Sequence, residues 1–296
     1  MQLLPHFEYV VPDSLSEAMA FLREHPQDCL VMAGGTDVLV GMKEQKVNPR
    51  FVMDIKELID LKGMRETKEG LELGALTTLY EIETGLAANN KWPALAEAAG
   101  MVGSYQVRTR ATLGGNICNA SPSADTPIPL IALQALAKIM GPKGLRTIPL
   151  EDFFKGPGEN ALDADELLIS VSVPNPSRKS GCVYLKHSPR KAMDIAIVGV
   201  AACVQLDDKG ICEAARICLG AVAPIPLRTR SAEEILLGQK LDEKVIALAA
   251  SVASQEAKPV SDVRSSANYR KAMVPVMVRR AIHEAVKRTN LGEGQI

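Results

Sequence analysis

The feature that most constrains this chain is an unbroken run of small and polar residues, Thr112-Leu113-Gly114-Gly115-Asn116-Ile117-Cys118-Asn119-Ala120-Ser121-Pro122-Ser123-Ala124-Asp125. Glycines let backbone N–H groups come close to a ligand, and the hydroxyls and amides supply further donors. Asp125 adds a carboxylate that can accept from a sugar hydroxyl. Upstream, Val31-Met32-Ala33-Gly34-Gly35-Thr36-Asp37-Val38 repeats the pattern. A Gly-Gly pair alone is ordinary turn chemistry between strands. A turn, however, needs only a few residues of special geometry, and the 112–125 run is far longer. Two anion cradles in one chain point to a ligand with two phosphates, a dinucleotide.

Length and composition narrow the class. At 296 residues the chain exceeds a usual single core, so two domains are expected. Hydrophobic content of 47% with 23% charged residues is globular. A net charge of -1 leaves no footprint for nucleic acid, and 4% aromatics provide few stacking platforms. No apolar run approaches the roughly 18 residues of a membrane span. The start, Met1-Gln2-Leu3-Leu4-Pro5-His6-Phe7-Glu8, lacks the basic and long apolar regions of a signal peptide, so a cytoplasmic location is expected. Cys29, Cys118, Cys182, Cys203, Cys212 and Cys218 form no C-x-x-C pair. They read as buried free thiols of a reducing compartment, and no metal is expected on this chain.

The pattern along the chain sets the organisation. The capping box Ser14-Leu15-Ser16-Glu17 predicts a helix to about residue 25, and a strand at 30–32 feeds the first loop. Strands are expected at 51–55 and 71–75, followed by a second capping box, Thr78-Leu79-Tyr80-Glu81. Helices are expected at 93–101 and 128–136, then a hairpin of 137–140 and 145–148 around Gly141-Pro142-Lys143-Gly144. A strand at 167–173 closes on Pro174-Asn175-Pro176-Ser177-Arg178-Lys179-Ser180-Gly181, the best boundary in the chain. Beyond it, 182–186, 195–206 and 213–222 read as a meander turning at Asp207-Asp208-Lys209-Gly210. Helices are expected near 231–237, 241–253 and 265–286, the last packing its apolar face at home. No strand–helix–strand alternation carries a G-x-G-x-x-G spacing, so a Rossmann domain is disfavoured and both parts read as α+β.

At this order and separation, Ala33-Gly34-Gly35-Thr36-Asp37 and Thr112-Leu113-Gly114-Gly115-Asn116-Ile117 resemble the two FAD loops of the flavoprotein subunits of molybdenum hydroxylases. That group includes xanthine dehydrogenase and the medium subunit of carbon monoxide dehydrogenase. The resemblance spans the chain, including Lys186-His187-Ser188-Pro189-Arg190-Lys191-Ala192-Met193-Asp194-Ile195-Ala196. Within the family it is closest to the separate FAD subunit of bacterial xanthine dehydrogenases, through Gly114-Gly115-Asn116-Ile117-Cys118-Asn119, Asp125 and Ala192-Met193-Asp194-Ile195. It implies an FAD-binding domain at 1–176, made of two α+β subdomains at about 1–57 and 58–176, and a C-terminal antiparallel sheet-plus-helix domain at 177–296. FAD lies between the parts.

By the same resemblance, Val31, Met32, Ala33, Gly34, Gly35, Thr36, Asp37 and Val38 wrap the pyrophosphate. Thr112, Gly114, Gly115 and Asn116 run along the phosphates toward the flavin, with Ser121 in the same loop. Asp125 sits on the adenosine side, Leu168 contacts the cofactor by backbone or packing, and Lys186 reaches it from the C-terminal domain. Val102 is a departure, since some members carry an aromatic there against the flavin. Read without the resemblance, Lys186 is equally a solvated strand-end lysine, Asp37 a helix cap and Leu168 a core leucine.

The resemblance implies an electron-transfer role. Substrate is oxidised at a molybdenum cofactor on a large partner subunit, electrons cross [2Fe-2S] clusters on a small one, and FAD on this chain passes them as hydride to NAD+. Such chemistry belongs to the cofactor, which suits a chain with no Ser/His/Asp or paired-carboxylate constellation. Residues 73–101 contain no cysteine for the extra [4Fe–4S] cluster of 4-hydroxybenzoyl-CoA reductases, and 31–38 hold no histidine or cysteine for the covalent flavin of a standalone oxidase. Xanthine or a related purine is the expected substrate of the complex, with carbon monoxide, nicotinate or an aldehyde as alternatives. The purified chain is expected to be yellow, with flavin absorption bands. A colourless chain that takes up no added FAD would end this reading.

Overall fold

The computed structural model describes residues 4–89 and 91–289. Its first unit comprises β1 (Glu8–Val10), α1 (Leu15–Glu24), β2 (Cys29–Met32), α2 (Val38–Lys43) and β3 (Phe51–Asp54). The Ser14 hydroxyl caps α1 by accepting from the Glu17 N–H (3.2 Å), while the Glu17 carboxylate returns one residue beyond the cap, to the Asp13 N–H (2.7 Å). The three strands form a parallel sheet in the order β1-β3-β2. Parallel neighbours cannot be joined by a tight turn, so the helices serve as crossovers. Strand–helix–strand units are therefore present here, without the glycine spacing of a Rossmann domain. Central β3 is buried along its whole length, and its one charged residue, Asp54, is held by Tyr9 and Lys56.

The middle unit runs through β4 (Met64–Glu66), β5 (Gly70–Gly74), α3 (Leu79–Asn89), α4 (Pro93–Gly100), α5 (Tyr105–Arg108), α6 (Leu113–Cys118), α7 (Pro127–Ala132), β6 (Leu136–Gly141), β7 (Gly144–Pro149), β8 (Phe154–Gly156), β9 (Glu159–Asn160) and β10 (Leu167–Pro174). Its antiparallel sheet has the order β4-β5-β10-β6-β7, so the last strand in sequence is the central one. The expected hairpin is β6–β7, paired from Leu136 and Pro149 to Gly141 and Gly144. The helix expected at 128–136 stops at Ala132, because Gln134 turns left-handed (φ 60°) and Leu136 already pairs in β6. A fully apolar run does not distinguish buried helix from buried strand. Within the second loop, α6 escapes sequence reading because its glycines are poor helix formers.

The C-terminal unit is the expected meander, β11 (Ser180–His187), β12 (Val198–Leu206), β13 (Cys212–Gly220) and β14 (Leu227–Arg228), followed by α8 (Arg230–Leu236), α9 (Glu243–Glu256) and α10 (Ala267–Thr289). Residues 195–197, expected in a strand, belong instead to the connection between β11 and β12. Val274, Val278 and Ile282 are fully buried where α10 crosses β11 and β12, so this helix does pack at home. One expectation needs correction. Cys182 and Cys203 stand directly opposite each other in the β11–β12 register and are joined as a disulfide, leaving only the other four cysteines free. A separation of 21 residues gives no hint of that pairing; only the antiparallel register brings the two together.

The C-terminal sheet uses both faces. One face packs on α8–α10, while Tyr184, Ala201, Cys203 and Cys218 complete the core of the middle unit. Glu97 on α4 stitches the junction, accepting from the Tyr184 N–H (2.9 Å) and from Arg288 Nη2 (2.6 Å), while Arg288 Nη1 donates to the Cys182 carbonyl (2.9 Å). Gly181 lets β11 lie against α10, since a Cβ there would sit 2.0 Å from the Ala285 carbonyl oxygen. Gly181→Ala is expected to destabilise the chain by about 1–3 kcal/mol through forced separation of the two elements. Thermal unfolding reads this directly, and an unchanged midpoint would contradict the close packing.

Candidate functional site

The two glycine loops meet. A Cβ on Gly34 would lie 2.0 Å from the Arg110 carbonyl oxygen and 3.0 Å from the Ala111 Cα, so the first loop touches the backbone entering the second. Gly35 is left-handed (φ 74°), a conformation glycine adopts freely. Among the described residues, the N–H groups of Gly34, Gly35, Thr36 and Asp37 have no acceptor within the chain. They form a run of unmatched backbone donors at the end of β2. Asp37 stands at the N-cap of α2 but makes no capping hydrogen bond, so the simple cap reading does not account for it. Behind the loop, Met32 is buried, and Val31 and Ala33 pack on the core beneath α1.

The second loop is built differently. Thr112 caps α6 by accepting from the Gly115 N–H (3.1 Å), Leu113 N–H goes to the Thr77 carbonyl (2.9 Å) and Gly114 N–H to the Ala75 carbonyl (2.8 Å). Its first N–H groups are thus consumed inside the protein. Gly114 instead allows close approach, since its Cβ would meet the Ala75 backbone oxygen at 2.8 Å. What the loop leaves available are side chains. Asn116 uses its Oδ1 to accept from Thr126 (2.7 Å), which leaves its amide NH2 with no acceptor among the described residues, and the Ser121 hydroxyl accepts from Ser123 N–H (3.4 Å). Leu168 is buried behind this loop, next to a β-bulge whose Ile169 carbonyl accepts from Ala75 N–H (2.9 Å). Its role visible in the structure is packing.

Asp125 and Lys186 form a buried ion pair. Lys186 Nζ donates to Asp125 Oδ2 (2.8 Å) and to the Met101 carbonyl (3.1 Å), and each side chain is 6% exposed. Lys186 is therefore no solvated strand-end lysine. The Tyr184 hydroxyl donates to the other carboxylate oxygen, Oδ1 (2.6 Å). Burial pushes the Asp125 carboxyl above the usual carboxylate range, against the opposing pull of Lys186 and Tyr184. Burial and the adjacent carboxylate push the Tyr184 hydroxyl well above its ordinary value. Half-buried Val102 adjoins this point, directly after Met101. Sequence reading missed Tyr184, although the alternation of β11 puts it on the same face as Lys186, a signal that was available. Beyond Lys186, a cleft of about 300 Å³ opens between Met101, His187, Arg190, Lys191 and Asp194. Asp194 accepts from the Arg190 guanidinium (3.2 Å) in an ion pair at the cleft edge.

Comparison with known proteins gives the family. Residues 5–176 match the model of the FAD binding domain in molybdopterin dehydrogenase, and residues 183–285 that of the carbon monoxide dehydrogenase flavoprotein C-terminal domain. The chain belongs to the FAD-binding subunits of the molybdopterin dehydrogenases. It is 34% identical to the xanthine dehydrogenase FAD-binding subunit of Escherichia coli O157:H7, covering 92% of this chain and 94% of that one. It is also 34% identical to the carbon monoxide dehydrogenase medium chain of Hydrogenophaga pseudoflava, covering 95% and 97%. A solved carbon monoxide dehydrogenase from Hydrogenophaga pseudoflava superposes with a TM-score of 0.93 over 97% of this chain and 99% of that one.

FAD is the cofactor of this subunit, and the residues present fit it. Four unmatched N–H donors suit phosphate oxygens, the glycine profile gives a backbone-level approach, and a buried carboxylate and ammonium lie beyond. Among the described residues no group of three or more His, Cys, Asp or Glu could hold a metal ion. Gly34→Ala forces the first loop off the Arg110–Ala111 backbone. Its FAD affinity is expected to fall at least about tenfold, roughly 1.4 kcal/mol. Fluorescence titration of the FAD-free chain measures it, and unaltered affinity would remove the first loop from the site.

Proposed function

We propose that this chain is the FAD subunit of a xanthine dehydrogenase-type molybdenum hydroxylase, which takes electrons from [2Fe-2S] clusters on a small partner subunit and passes them as hydride to NAD+. The observation that carries this reading is the likeness, along nearly its whole length, to a xanthine dehydrogenase FAD-binding subunit. Bound FAD supplies a centre that accepts electrons singly and releases them in pairs. The chain's own residues bind, orient and shield. We assign Val31 to Val38 to the pyrophosphate through the free N–H groups of Gly34 to Asp37, and Thr112, Gly114, Gly115, Asn116 and Ser121 to the path from phosphates to flavin. Asp125 is assigned to the adenosine side, and Lys186, held by Asp125 and the Met101 carbonyl, faces the cofactor from β11. Val102 lines the same wall with an aliphatic surface, and Leu168 supports the second loop from behind.

The division that accompanies this reading is an FAD-binding domain at 1–176 and a C-terminal domain at 177–296, of which 1–3, 90 and 290–296 lie outside the described residues. For NAD+ as acceptor, the support is electrostatic. The cleft beside Lys186 carries Arg190 and Lys191 against the single carboxylate of Asp194, a net-positive rim suited to an anionic nucleotide. No described helix is long and apolar enough to cross a membrane, in keeping with a cytoplasmic complex. A carbon monoxide dehydrogenase-type complex is the second reading, favoured by the equal identity to that medium chain.

Purification of the native complex tests both readings. Flavin, iron and molybdenum are expected with one large and one small partner chain, together with xanthine-dependent reduction of NAD+. Oxidation of carbon monoxide instead would select the second reading. Flavin without metal or partners would overturn both.

A further inference from the structure

Two segments, one lining the cleft beside Lys186 and one tied to the second glycine loop, are fastened from the far side of the C-terminal sheet by one side chain. The first is the basic connection 188–196, closed at its base where the Ile197 N–H donates to the His187 carbonyl (2.8 Å). The second is Ala221, just past β13, whose N–H donates to the Pro122 carbonyl (2.8 Å) inside the second glycine loop, shortly before Asp125. Ala221 is left-handed (φ 63°), a conformation that a residue with a Cβ holds only when its surroundings fix it.

Arg270, in the first turn of α10, supplies that restraint. Only 3% exposed, it donates from Nη1 to both the Ile197 carbonyl (2.9 Å) and the Ala221 carbonyl (3.0 Å). Its Nη2 donates to Asp262 Oδ1 (2.9 Å), which compensates the charge. Its Nε has no hydrogen-bond partner, an unmet donor in a buried position. The neighbouring Tyr269 hydroxyl lies 3.1 Å from His187 Nε2, so the same helical turn also grips the other end of the loop base. A buried guanidinium with one unsatisfied N–H is a costly way to stabilise a sheet, and here its donors converge on the base of the cleft-lining connection and on the residue that ties the second glycine loop.

We propose that Arg270 is a positioning residue of the FAD site, aligning the second glycine loop with the 188–196 connection through Ala221 and Ile197. This rests on the reading that the 112–125 loop holds FAD. Arg270→Gln, made in the full chain, is expected to lower FAD affinity about tenfold and to alter the visible circular dichroism and midpoint potential of the bound flavin. Glu233→Gln is the matched control. Glu233 is equally buried in the C-terminal unit and accepts from Arg228 (2.6 Å) and the Ile217 N–H (2.8 Å), without touching either segment. It is expected to lower the melting temperature while keeping wild-type FAD affinity and dichroism.

If Arg270→Gln does not fold, Arg270→Lys carries the test, because one ammonium cannot span both carbonyls and Asp262 and a partial loss is expected. Wild-type affinity and dichroism in the Arg270 variant, or an equal loss in Glu233→Gln, overturns the proposal. Failure of the wild-type chain to bind FAD would instead bring down the reading on which it rests.

Discussion

An ammonium and a carboxylate that leave water must be paired, and much of this protein follows from where Asp125 and Lys186 find each other. Asp125 ends the second glycine loop of the middle unit, whereas Lys186 comes from β11 of the C-terminal sheet. Neither could stay charged and buried alone, because an unpaired ion in a low-dielectric interior costs several kcal/mol. The pair therefore fixes the docking of one unit on the other. Tyr184 completes the carboxylate's hydrogen bonding, and the Met101 carbonyl that of the ammonium. Around this centre lie Glu97–Arg288 on one side and Glu151 with Arg228 and Arg230 on another. Those peripheral pairs are more exposed and contribute less each, since water screens them.

Against that fixed frame, the two glycine loops do different work. The first leaves its backbone donors unmatched, and the second satisfies its own and contributes shape and side-chain amides. Their likeness in sequence conceals this division, which depends on what lies behind each loop. The second has the β5–α3 junction against it, supplying carbonyls from Ala75 and Thr77, while the first opens outward from the end of a parallel strand.

Local signals in the sequence go far. The Ser14 helix cap, the β6–β7 hairpin and the meander from β11 to β13 are each written in short-range pattern, and each forms as read. So is the α+β class. What escaped is set by distant contacts. α6 starts on a Thr112 cap with glycines in its first turn, so propensity argues against a helix that tertiary bonds from Ala75 and Thr77 impose. The 128–136 run divides at Gln134 because strand pairing claims Leu136. The Cys182–Cys203 bond requires a register that no spacing reveals. At the site, the loops were legible as sequence, whereas Tyr184, Arg270 and the Met101 carbonyl act through folded geometry and have no motif of their own.

The shared core has a consequence for how such a chain can be built and divided. Tyr184, Ala201, Cys203 and Cys218 belong by packing to the middle unit, though by sequence they lie in the C-terminal one. A chain cut after β10 would uncover the apolar side of α4 and α7 and leave Asp125 with no counter-ion. The cofactor-binding half is thus an unfinished fold until the C-terminal sheet arrives. During synthesis the glycine loops emerge long before the residues that hold them in place, so cofactor capture belongs to the finished chain.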